Sequence, residues 1–340
     1  MPDFGRGSRD ARIVLTETES MRIAAGAYTG FFVMGKEAFL YLGGRKTTGR
    51  CLLKFCRRCM FMSNQPFTVA TFKERKASKT PVTMITAYDY SMAQLVEESG
   101  IDTILVGDSL GNVMLGYGST LPVTMEEMIH HGKAVCRGVK NTFVVVDMPF
   151  MSYQVSAEQA VENAGRLLKE TNCQAVKLEG GIEILPGIEK MIAAGIPVVG
   201  HLGLTPQSVN QLGGYKVQGK DAATAQKLID DAKALDRAGC CAIVLECVPS
   251  RLAEKVTASV NAVTIGIGGG NGCDGQVLVV NDMLGFSNGF CPKFVKRFAH
   301  LHDDIVNAMK AYKDEVTARS FPVEGEHTFK ISDETLEKLY

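Results

Sequence analysis

Five apolar runs of strand length in this sequence end in, or just before, a residue that could act in catalysis. In Ile104-Leu-Val-Gly-Asp-Ser-Leu-Gly111, the run delivers Asp108 and Ser109 where the chain must turn out of a sheet. A buried strand normally excludes charge, because desolvating an unpaired carboxylate is costly. The recurrence therefore indicates a shared polar site at one edge of a sheet. The other runs end in Asp147, Glu179, His201 and Glu246, and Lys177 lies inside the run that ends at Glu179.

Carboxylates gathered in one pocket repel each other unless a positive charge is shared between them. A hard divalent cation is the simplest such charge, and ligation by oxygen atoms alone suits Mg²⁺. Mg²⁺ is typically bound by one or two protein carboxylates and keeps positions for substrate and water. Asp108 and Asp147 end two successive strands, so they are the first candidates as metal ligands.

Each of these residues also has a purely structural interpretation. An acid that follows a single strand is more often the cap of a turn or helix than a metal ligand. His201 alone would be a hydrogen-bonded structural residue, and Lys177 beside Glu179 would be a plain ion pair. Because the residues occur as a set, the sequence favours a metal-assisted site over these separate interpretations.

The candidate strands alternate with helical patterns, which predicts a parallel sheet. An eight-stranded sheet of this kind closes into a (β/α)8 TIM barrel, whose active site lies at the C-terminal ends of the strands. An open doubly wound sheet is the competing fold, but it gathers its site at one topological switch point. Polar residues end most of the strands, so we predict the barrel. Strands are predicted at 81–87, 102–107, 143–148, 174–179, 196–201, 242–247, 263–267 and 276–280.

Helices are predicted between most of the strands. Thr124-Met-Glu-Glu127 has the Thr-x-x-Glu pattern of a capping box, and Ser156 precedes good helix formers at helical spacing. Residues Ala222 to Ala238 and Pro292 to Val316 are also helical in character. The segment 204–221 is long, polar and rich in glycine, which is typical of a lid or a binding loop.

Two further motifs are interpreted as structural. Gly266-Ile-Gly-Gly-Gly-Asn271 departs from the GxGxxG spacing of a dinucleotide-binding loop, and no helical pattern begins on it. We interpret it as backbone that must approach another group closely at the barrel mouth. His130 and His131 lie in the predicted helix after the second strand and have no catalytic partner in the pattern.

The composition is that of a globular protein, because 46% hydrophobic residues allow a large core. The formal net charge is +0 and there is no Trp, so neither a basic surface nor an aromatic platform indicates nucleic-acid binding. The 10 cysteines are interpreted as reduced thiols, which indicates a reducing compartment and hence the cytoplasm. Cys51, Cys56 and Cys59 form a C-x4-C-x2-C pattern, but no fourth ligand follows at zinc-site spacing.

The composition changes near Met62. Residues 1–61 hold 11 Lys/Arg and 5 Asp/Glu (+6), which leaves 26 and 32 (−6) for the remainder. The uncharged stretch between Arg22 and Lys36 is too short to span a bilayer, and its flanks do not suit a signal peptide. Met62-Ser-Asn-Gln has the character of a natural start. We therefore hypothesise that residues 1–61 are a dispensable basic extension from a misplaced start codon, and that 62–340 is a single catalytic barrel.

Longer motifs resemble the ketopantoate hydroxymethyltransferase (3-methyl-2-oxobutanoate hydroxymethyltransferase) family from about Phe67 to Tyr340. Residues 1–61 have no counterpart in that resemblance. The motifs that carry it are Ile85-Thr-Ala-Tyr-Asp-Tyr-Ser91, Leu105-Val-Gly-Asp-Ser-Leu-Gly111, Ser119-Thr-Leu-Pro-Val-Thr124, Asp147-Met-Pro-Phe-Met151, Val176-Lys-Leu-Glu-Gly-Gly181, Gly200-His-Leu-Gly-Leu-Thr-Pro-Gln-Ser208, Gly213-Gly-Tyr-Lys-Val-Gln-Gly219, Val244-Leu-Glu-Cys-Val-Pro249 and Gly325-Glu-His-Thr-Phe329.

The resemblance implies a barrel of the phosphoenolpyruvate mutase/isocitrate lyase type, assembled as a homodecamer or a similar high-order homo-oligomer. It implies Mg²⁺ as cofactor and 5,10-methylenetetrahydrofolate as the co-substrate that supplies a one-carbon unit. The acceptor would be 3-methyl-2-oxobutanoate and the product 2-dehydropantoate, a step toward pantothenate and coenzyme A. Neither a nucleic acid nor a membrane is an expected partner.

The resemblance also assigns roles to the residues at the strand ends. Asp108 and Asp147 match the metal ligands and contact the substrate, and Glu179 matches a carboxylate near the metal that acts through water. Ser109 and Lys177 match contacts to the oxo acid. The two remaining matches are His201, at the carboxylate end of the oxo acid, and Glu246, the candidate general base.

These roles agree with elementary chemistry. A 2-oxo acid chelates Mg²⁺ through its keto and carboxylate oxygens, and the Lewis acid stabilises the enolate that forms when Glu246 removes a proton from C3. The enolate then attacks the methylene carbon. Gly269 and Asn281 depart from the residues expected in the family, which affects the predicted shape of the loops on the folate side.

Two other functions remain alternatives to this interpretation. One is another Mg²⁺-dependent oxo-acid carbon–carbon lyase of the same superfamily, and the other is a non-catalytic barrel.

Overall fold

The computed structural model describes residues 31–34, 37–40, 65–289 and 291–339. The chain divides into two units, Met1–Ser63 and Asn64–Tyr340. In the first unit, strands Phe31–Met34 and Glu37–Leu40 pair in antiparallel fashion with Phe31 opposite Leu40. The cysteine pattern at 51–59 and the proposed start at Met62 lie outside the described residues.

The second unit is built on a closed barrel of parallel strands. Each of the eight predicted strands is present, with bounds that differ from the prediction by no more than two residues. The strands are numbered β1 (Val82–Thr86), β2 (Thr103–Val106), β3 (Phe143–Asp147), β4 (Ala175–Glu179), β5 (Val198–Gly203), β6 (Ala242–Glu246), β7 (Val263–Ile267) and β8 (Gly275–Leu278). Because β8 pairs with β1, the open doubly wound sheet is excluded.

Helices follow the strands, except that β7 runs directly into the loop 268–274. The predicted caps are present: Thr124 and Glu127 form a reciprocal capping box, and the Ser156 side chain accepts from the amide of Gln159. The helices are α1 (Val69–Ser78), α2 (Tyr90–Ser99), α3 (Leu110–Val113), α4 (Met125–Gly138), α5 (Ala157–Thr171), α6 (Leu185–Ala193), α7 (Val209–Leu212), α8 (Ala222–Ala238), α9 (Ser250–Ser259), α10 (Val280–Leu284), α11 (Leu301–Thr317) and α12 (Asp333–Glu337). Each helix in the part of the chain that the structure describes is too short or too polar to cross a bilayer.

The predicted helix from Pro292 to Val316 is wrong over its first nine residues, since α11 begins at Leu301. The helical spacing of Phe294, Phe298 and Leu301 suggested a continuous helix, but tertiary contacts override it. The backbone N–H of Phe298 donates to the carbonyl of Met283 at 2.8 Å instead of to its own segment. Phe294 packs against the core inside the barrel, where its ring lies close to Gly268.

The barrel interior is filled in layers along its axis. At the N-terminal end, the rings of Phe67, Phe72 and Phe143 pack edge to face with centroid distances of 4.8–6.0 Å. Inward-facing aliphatic side chains such as Val145, Val199 and Val244 form the next layer. The apolar filling occupies the interior up to the C-terminal end of the barrel, which is the end at which the predicted site residues lie.

Acidic side chains also lie at the N-terminal end of the barrel, where they bind backbone amides. Asp102 accepts from the N–H of Thr83 in β1 at 2.9 Å and from Arg75 of α1 at 2.7 Å. Asp274 accepts from the N–H of Thr264 in β7 at 2.9 Å and from Lys76 of α1 at 2.6 Å. These acids fix the strand starts and the helix that covers them.

Candidate active site

The register of the barrel strands places the predicted site residues side by side. Asp147 at the end of β3 is the partner of Lys177 in β4, and Glu179 in β4 is the partner of His201 in β5. Alternate residues of a strand face the same way, so Lys177 and Glu179 both face the barrel interior. Glu246 ends β6 opposite Gly203 of β5. Residues distant in sequence therefore meet at one mouth.

Asp108 and Asp147 are connected by a backbone hydrogen bond. The amide of Asp108 donates to Oδ2 of Asp147 at 3.0 Å, and both side chains are buried. Lys177 Nζ lies 3.1 Å from Oδ1 of Asp147, although the alignment falls outside hydrogen-bond geometry and leaves that oxygen without a hydrogen-bond partner. The pair is thus held at the strand ends with one carboxylate oxygen still available.

His201 lies between the two glutamates. Its Nδ1 is 3.2 Å from Oε1 of Glu179 and 3.2 Å from Nζ of Lys177, while Nε2 is 3.3 Å from Oε2 of Glu246. Burial and the charge of Lys177 lower the pKa of His201, but the carboxylates of Glu179 and Glu246 outweigh them and raise it to about 9. His201 is therefore a cation at neutral pH.

The carboxylates at the mouth differ in their ionisation. Burial raises the pKa of Asp108 well above its usual range, and the charges of Glu179 and Asp147 raise it further. Burial also raises the pKa of Asp147, against the opposing charge of Lys177. Burial favours the neutral form of Glu179, but the charges of His201 and Lys177 outweigh it and lower its pKa. The two aspartates are thus the groups that lack a sufficient positive partner.

The donor set fits a hard divalent cation. Four carboxyl groups (Asp108, Asp147, Glu179 and Glu246) share the mouth with two basic side chains (Lys177 and His201), so the acidic groups outnumber the basic ones by two. Each aspartate uses Oδ2 for a protein hydrogen bond, which leaves Oδ1 for an ion. Among the described residues, no three His, Cys, Asp or Glu side chains converge closely enough to hold a metal by themselves. Carboxylate oxygens such as the two Oδ1 atoms are ligands that suit Mg²⁺, which also keeps water and substrate ligands.

Ser109 follows Asp108 but faces a different partner. Its Oγ lies 2.9 Å from the phenol oxygen of Tyr88, which follows β1 and is buried. Burial strongly raises the pKa of Tyr88, so the phenol keeps its proton and can orient the Ser109 hydroxyl. Tyr88 was part of a motif that pointed to a family, yet nothing in its spacing indicated this contact.

Gln207 is the site residue that the sequence did not indicate. Its side-chain amide donates to Oδ2 of Asp108 at 2.8 Å, and its backbone N–H donates to Oε2 of Glu179 at 2.9 Å. Tyr153, in the loop after β3, contacts Gln207 Oε1 at 2.7 Å. Gln207 lay in the motif Gly200–Ser208 and in the long segment 204–221, but neither signal could select one amide.

The remaining predicted features lie outside this cluster. The run 266–270 ends β7 and turns at Gly268 and Gly270, which have φ of 71° and 80° in the region that favours glycine. His131 lies in α4, where its Nδ1 is 2.6 Å from the carbonyl oxygen of Tyr88. Within the described residues the seven cysteines are free.

Most of this chain is similar in sequence to one protein family. The family described as ketopantoate hydroxymethyltransferase matches residues 66–324. The 3-methyl-2-oxobutanoate hydroxymethyltransferase of Syntrophomonas wolfei subsp. wolfei is 59% identical over 273 residues, which are 80% of this chain and 99% of that protein. The protein of the same name from Carboxydothermus hydrogenoformans is 60% identical over the same shares.

Solved structures show the same fold at much lower identity. A phosphonopyruvate hydrolase in complex with oxalate and Mg²⁺ has a TM-score of 0.51 at 11% identity, over 79% of this chain and 94% of that one. A phosphoenolpyruvate phosphomutase from Streptomyces platensis subsp. rosaceus has a TM-score of 0.52 at 14% identity, over 79% and 93%. The prediction of a barrel of the phosphoenolpyruvate mutase type is confirmed.

Proposed function

The chain belongs to the ketopantoate hydroxymethyltransferase family, and we propose that it uses 5,10-methylenetetrahydrofolate and water to hydroxymethylate 3-methyl-2-oxobutanoate, giving 2-dehydropantoate and tetrahydrofolate. The observation that carries the proposal is the meeting of Asp108, Asp147 and Lys177 with a His201-bridged pair of glutamates at one barrel mouth. A pocket of this kind can bind an acidic substrate, neutralise its charge and move a proton.

Asp108 and Asp147 would hold Mg²⁺, with Glu179 acting through water. When bound, Mg²⁺ would supply a Lewis-acidic charge beside the keto and carboxylate oxygens of the oxo acid. Glu179 already accepts a hydrogen bond from the backbone N–H of Gln207 and lies near His201. It is therefore less available as a direct metal ligand. The backbone bond between the aspartates keeps the two carboxylates in a fixed relation before anything binds.

Glu246 is our candidate for the general base at C3. It is the most exposed of the mouth carboxylates, with 17% of its side chain accessible, and so it is the one a substrate can reach. Removal of the C3 proton leaves negative charge on the substrate and a neutral Glu246. His201 Nε2 lies 3.3 Å from Oε2 of Glu246, so the cationic ring would stand beside the carboxyl group and could donate a hydrogen bond to it while the base works.

Lys177 and Ser109 would bind the oxo acid. The buried cation of Lys177 offsets the negative charge that the substrate carboxylate brings to an already acidic pocket. The Ser109 hydroxyl, oriented by Tyr88, is a neutral hydrogen-bond donor directly after Asp108 in the chain. His201 would stand at the carboxylate end of the substrate.

The proposal is tested by deuterium exchange at C3 of 3-methyl-2-oxobutanoate, followed by NMR with and without Mg²⁺. Tetrahydrofolate and formaldehyde are then added to look for the hydroxymethylated product. Mg²⁺-dependent exchange together with folate-dependent product supports the whole proposal. Exchange without that product would favour the oxo-acid lyase, and no exchange under any condition would favour a non-catalytic barrel.

The proposal includes a homo-oligomer in the cytoplasm. Helix α11 has no buried residue in the described chain, and its apolar Met309 and Tyr312 are more than 60% exposed. An apolar helix face of that kind is usually covered in an assembly. The free cysteines are consistent with a reducing compartment. Light scattering of the purified protein tests the assembly, for which a monomer would be the contrary result.

A further inference from the structure

We propose that Gln207 is a positioning residue that aligns Asp108 for the metal ion and couples the segment 204–212 to metal binding. The inference rests on the proposed Mg²⁺ site and concerns a residue that makes no contact with the substrate in that proposal. Gln207 lies in the turn 206–208 directly after β5, and only 5% of the residue is exposed. A buried amide at this place must have partners for both of its ends.

The orientation of the Gln207 amide is unambiguous. Nε2 lies 2.8 Å from Oδ2 of Asp108 and 3.0 Å from the carbonyl oxygen of Met148, and both of these atoms accept hydrogen bonds. The nitrogen therefore uses both of its N–H groups. A carboxylate oxygen that accepts such a bond is held on one side, so the other oxygen of Asp108 is presented for the ion.

The opposite end of the amide is fixed as well. Oε1 of Gln207 lies 2.7 Å from the phenol oxygen of Tyr153 and 3.2 Å from Nε2 of Gln154, both in the loop after β3. The backbone N–H of Gln207 binds Glu179. Gln207 thus connects two carboxylates with the loop after β3. These are Asp108, which follows β2, and Glu179, which ends β4.

The physical consequence is a linkage between the loop and the ion. If the segment 204–212 holds Asp108 in the orientation that binds metal, then metal binding must favour the conformation of that segment in which Gln207 contacts Asp108, by the same factor. Hydrogen bonds that orient a ligand typically change metal affinity by about 10–100-fold when they are removed. Gln207 is the group through which we expect that coupling to pass.

The first test measures Mn²⁺ affinity by the electron paramagnetic resonance signal of free Mn²⁺, without any substrate. In Gln207→Met, an unbranched side chain of similar length loses the donors, and we expect Mn²⁺ to bind about 10–100-fold more weakly. The matched control is Gln218→Met, which removes an amide in the same segment 204–221 that donates to the carbonyl of Lys216 and to no carboxylate. Its affinity should stay within about twofold of wild type.

The outcomes separate this inference from the proposed function. Equal Mn²⁺ affinity in wild type and Gln207→Met would overturn the role of Gln207 and leave the metal site standing. If the wild-type protein itself bound no Mn²⁺, the metal site and this inference would both be wrong. A purely structural defect would lower kcat even at saturating Mg²⁺, whereas a loss of alignment raises the Mg²⁺ activation constant and is rescued by excess metal.

A second measurement needs no variant. Hydrogen–deuterium exchange of peptides covering 204–212 is followed in the wild-type protein with and without Mg²⁺. The linkage predicts at least about tenfold slower exchange with the metal, since the affinity factor and the loop factor must be equal. Unchanged exchange in a protein that binds Mn²⁺ would refute the coupling even if Gln207→Met failed to fold.

Discussion

Acidic residues lie at both ends of the barrel, but different partners stabilise them. At the N-terminal end, Asp102 and Asp274 accept backbone N–H groups and the charges of α1, and Glu97 accepts the amides of Asn141 and Thr142. At the C-terminal end, Asp108 and Asp147 have raised pKa values because burial and neighbouring acids oppose their charge. The same residue type is thus satisfied at one end and unsatisfied at the other.

The cause is the direction of the strands. The N-terminal edge of a parallel barrel presents N–H groups, which a carboxylate can accept, and these groups must be satisfied in any case. The C-terminal edge presents carbonyl oxygens, which offer nothing to a carboxylate. Acids there depend on amides of the loops beyond the strands, such as those of Asp108 and Gln207, and for their charge on Lys177, His201 or an ion from solvent. Strand polarity therefore stabilises the acids at the N-terminal end of this barrel and leaves those at its mouth without sufficient positive partners.

The largest effect is expected at the mouth. Glu246→Gln removes the proposed base while keeping the size of the side chain, so exchange at C3 should fall by a factor on the order of 10²–10⁴. Oxo-acid binding, measured by calorimetry, should be retained. Glu97→Gln is the control at the base of the barrel and should exchange at the wild-type rate per folded molecule. Undiminished exchange in Glu246→Gln would remove Glu246 from the base role.

At the N-terminal end of the barrel, the next largest effect should be on the free energy of unfolding and not on catalysis. Asp274→Ala breaks the bonds to Thr264 and leaves Lys76 without its partner, so we expect the free energy of unfolding to fall by about 2–3 kcal/mol. Urea titration measures this loss. If Asp274→Ala instead lost C3 exchange at full stability, the division between the two ends would be wrong.

A third prediction concerns the pH dependence of stability at the N-terminal end of the barrel. Hydrogen bonds from Thr142 and Asn141 outweigh burial and lower the pKa of Glu97 below 4.5 in the folded protein. Glu97 therefore adds stability above that pH, and the contribution disappears as pH falls through the folded-state value. We expect Glu97→Gln to be about 1–2 kcal/mol less stable than wild type at neutral pH, with the difference closing in acid. A constant difference across the pH range would contradict the assignment.

The smallest and opposite effect is predicted for the aspartates of the mouth. In metal-free protein, Asp108→Asn removes a carboxylate whose ionisation burial and Glu179 oppose, so stability should be unchanged or higher by about 1 kcal/mol. Asp108→Asn and Asp147→Asn should both bind Mn²⁺ more weakly than wild type. Unfolding in the presence of a chelator measures the first effect, and a marked destabilisation would place Asp108 with the structural acids.

The sequence identified every barrel strand because buried parallel strands read as short apolar runs between turns and helical patterns. It also identified the caps at Thr124 and Ser156, since a capping box is a local interaction between residues three apart. It failed at 292–300, where helical spacing competed with the hydrogen bond from Phe298 to the carbonyl of Met283, which no local pattern encodes.

For the site, residue type and strand direction were sufficient to select Asp108, Asp147, Lys177, Glu179 and their neighbours, because every strand of a parallel barrel delivers its C-terminal end to one mouth. Only the tertiary structure could show which side chains touch. The contacts of Gln207 with Asp108 and of Tyr88 with Ser109 join residues 99 and 21 positions apart. Such contacts depend on register and loop path, which are set by packing of the whole barrel and not by any local stretch of the sequence.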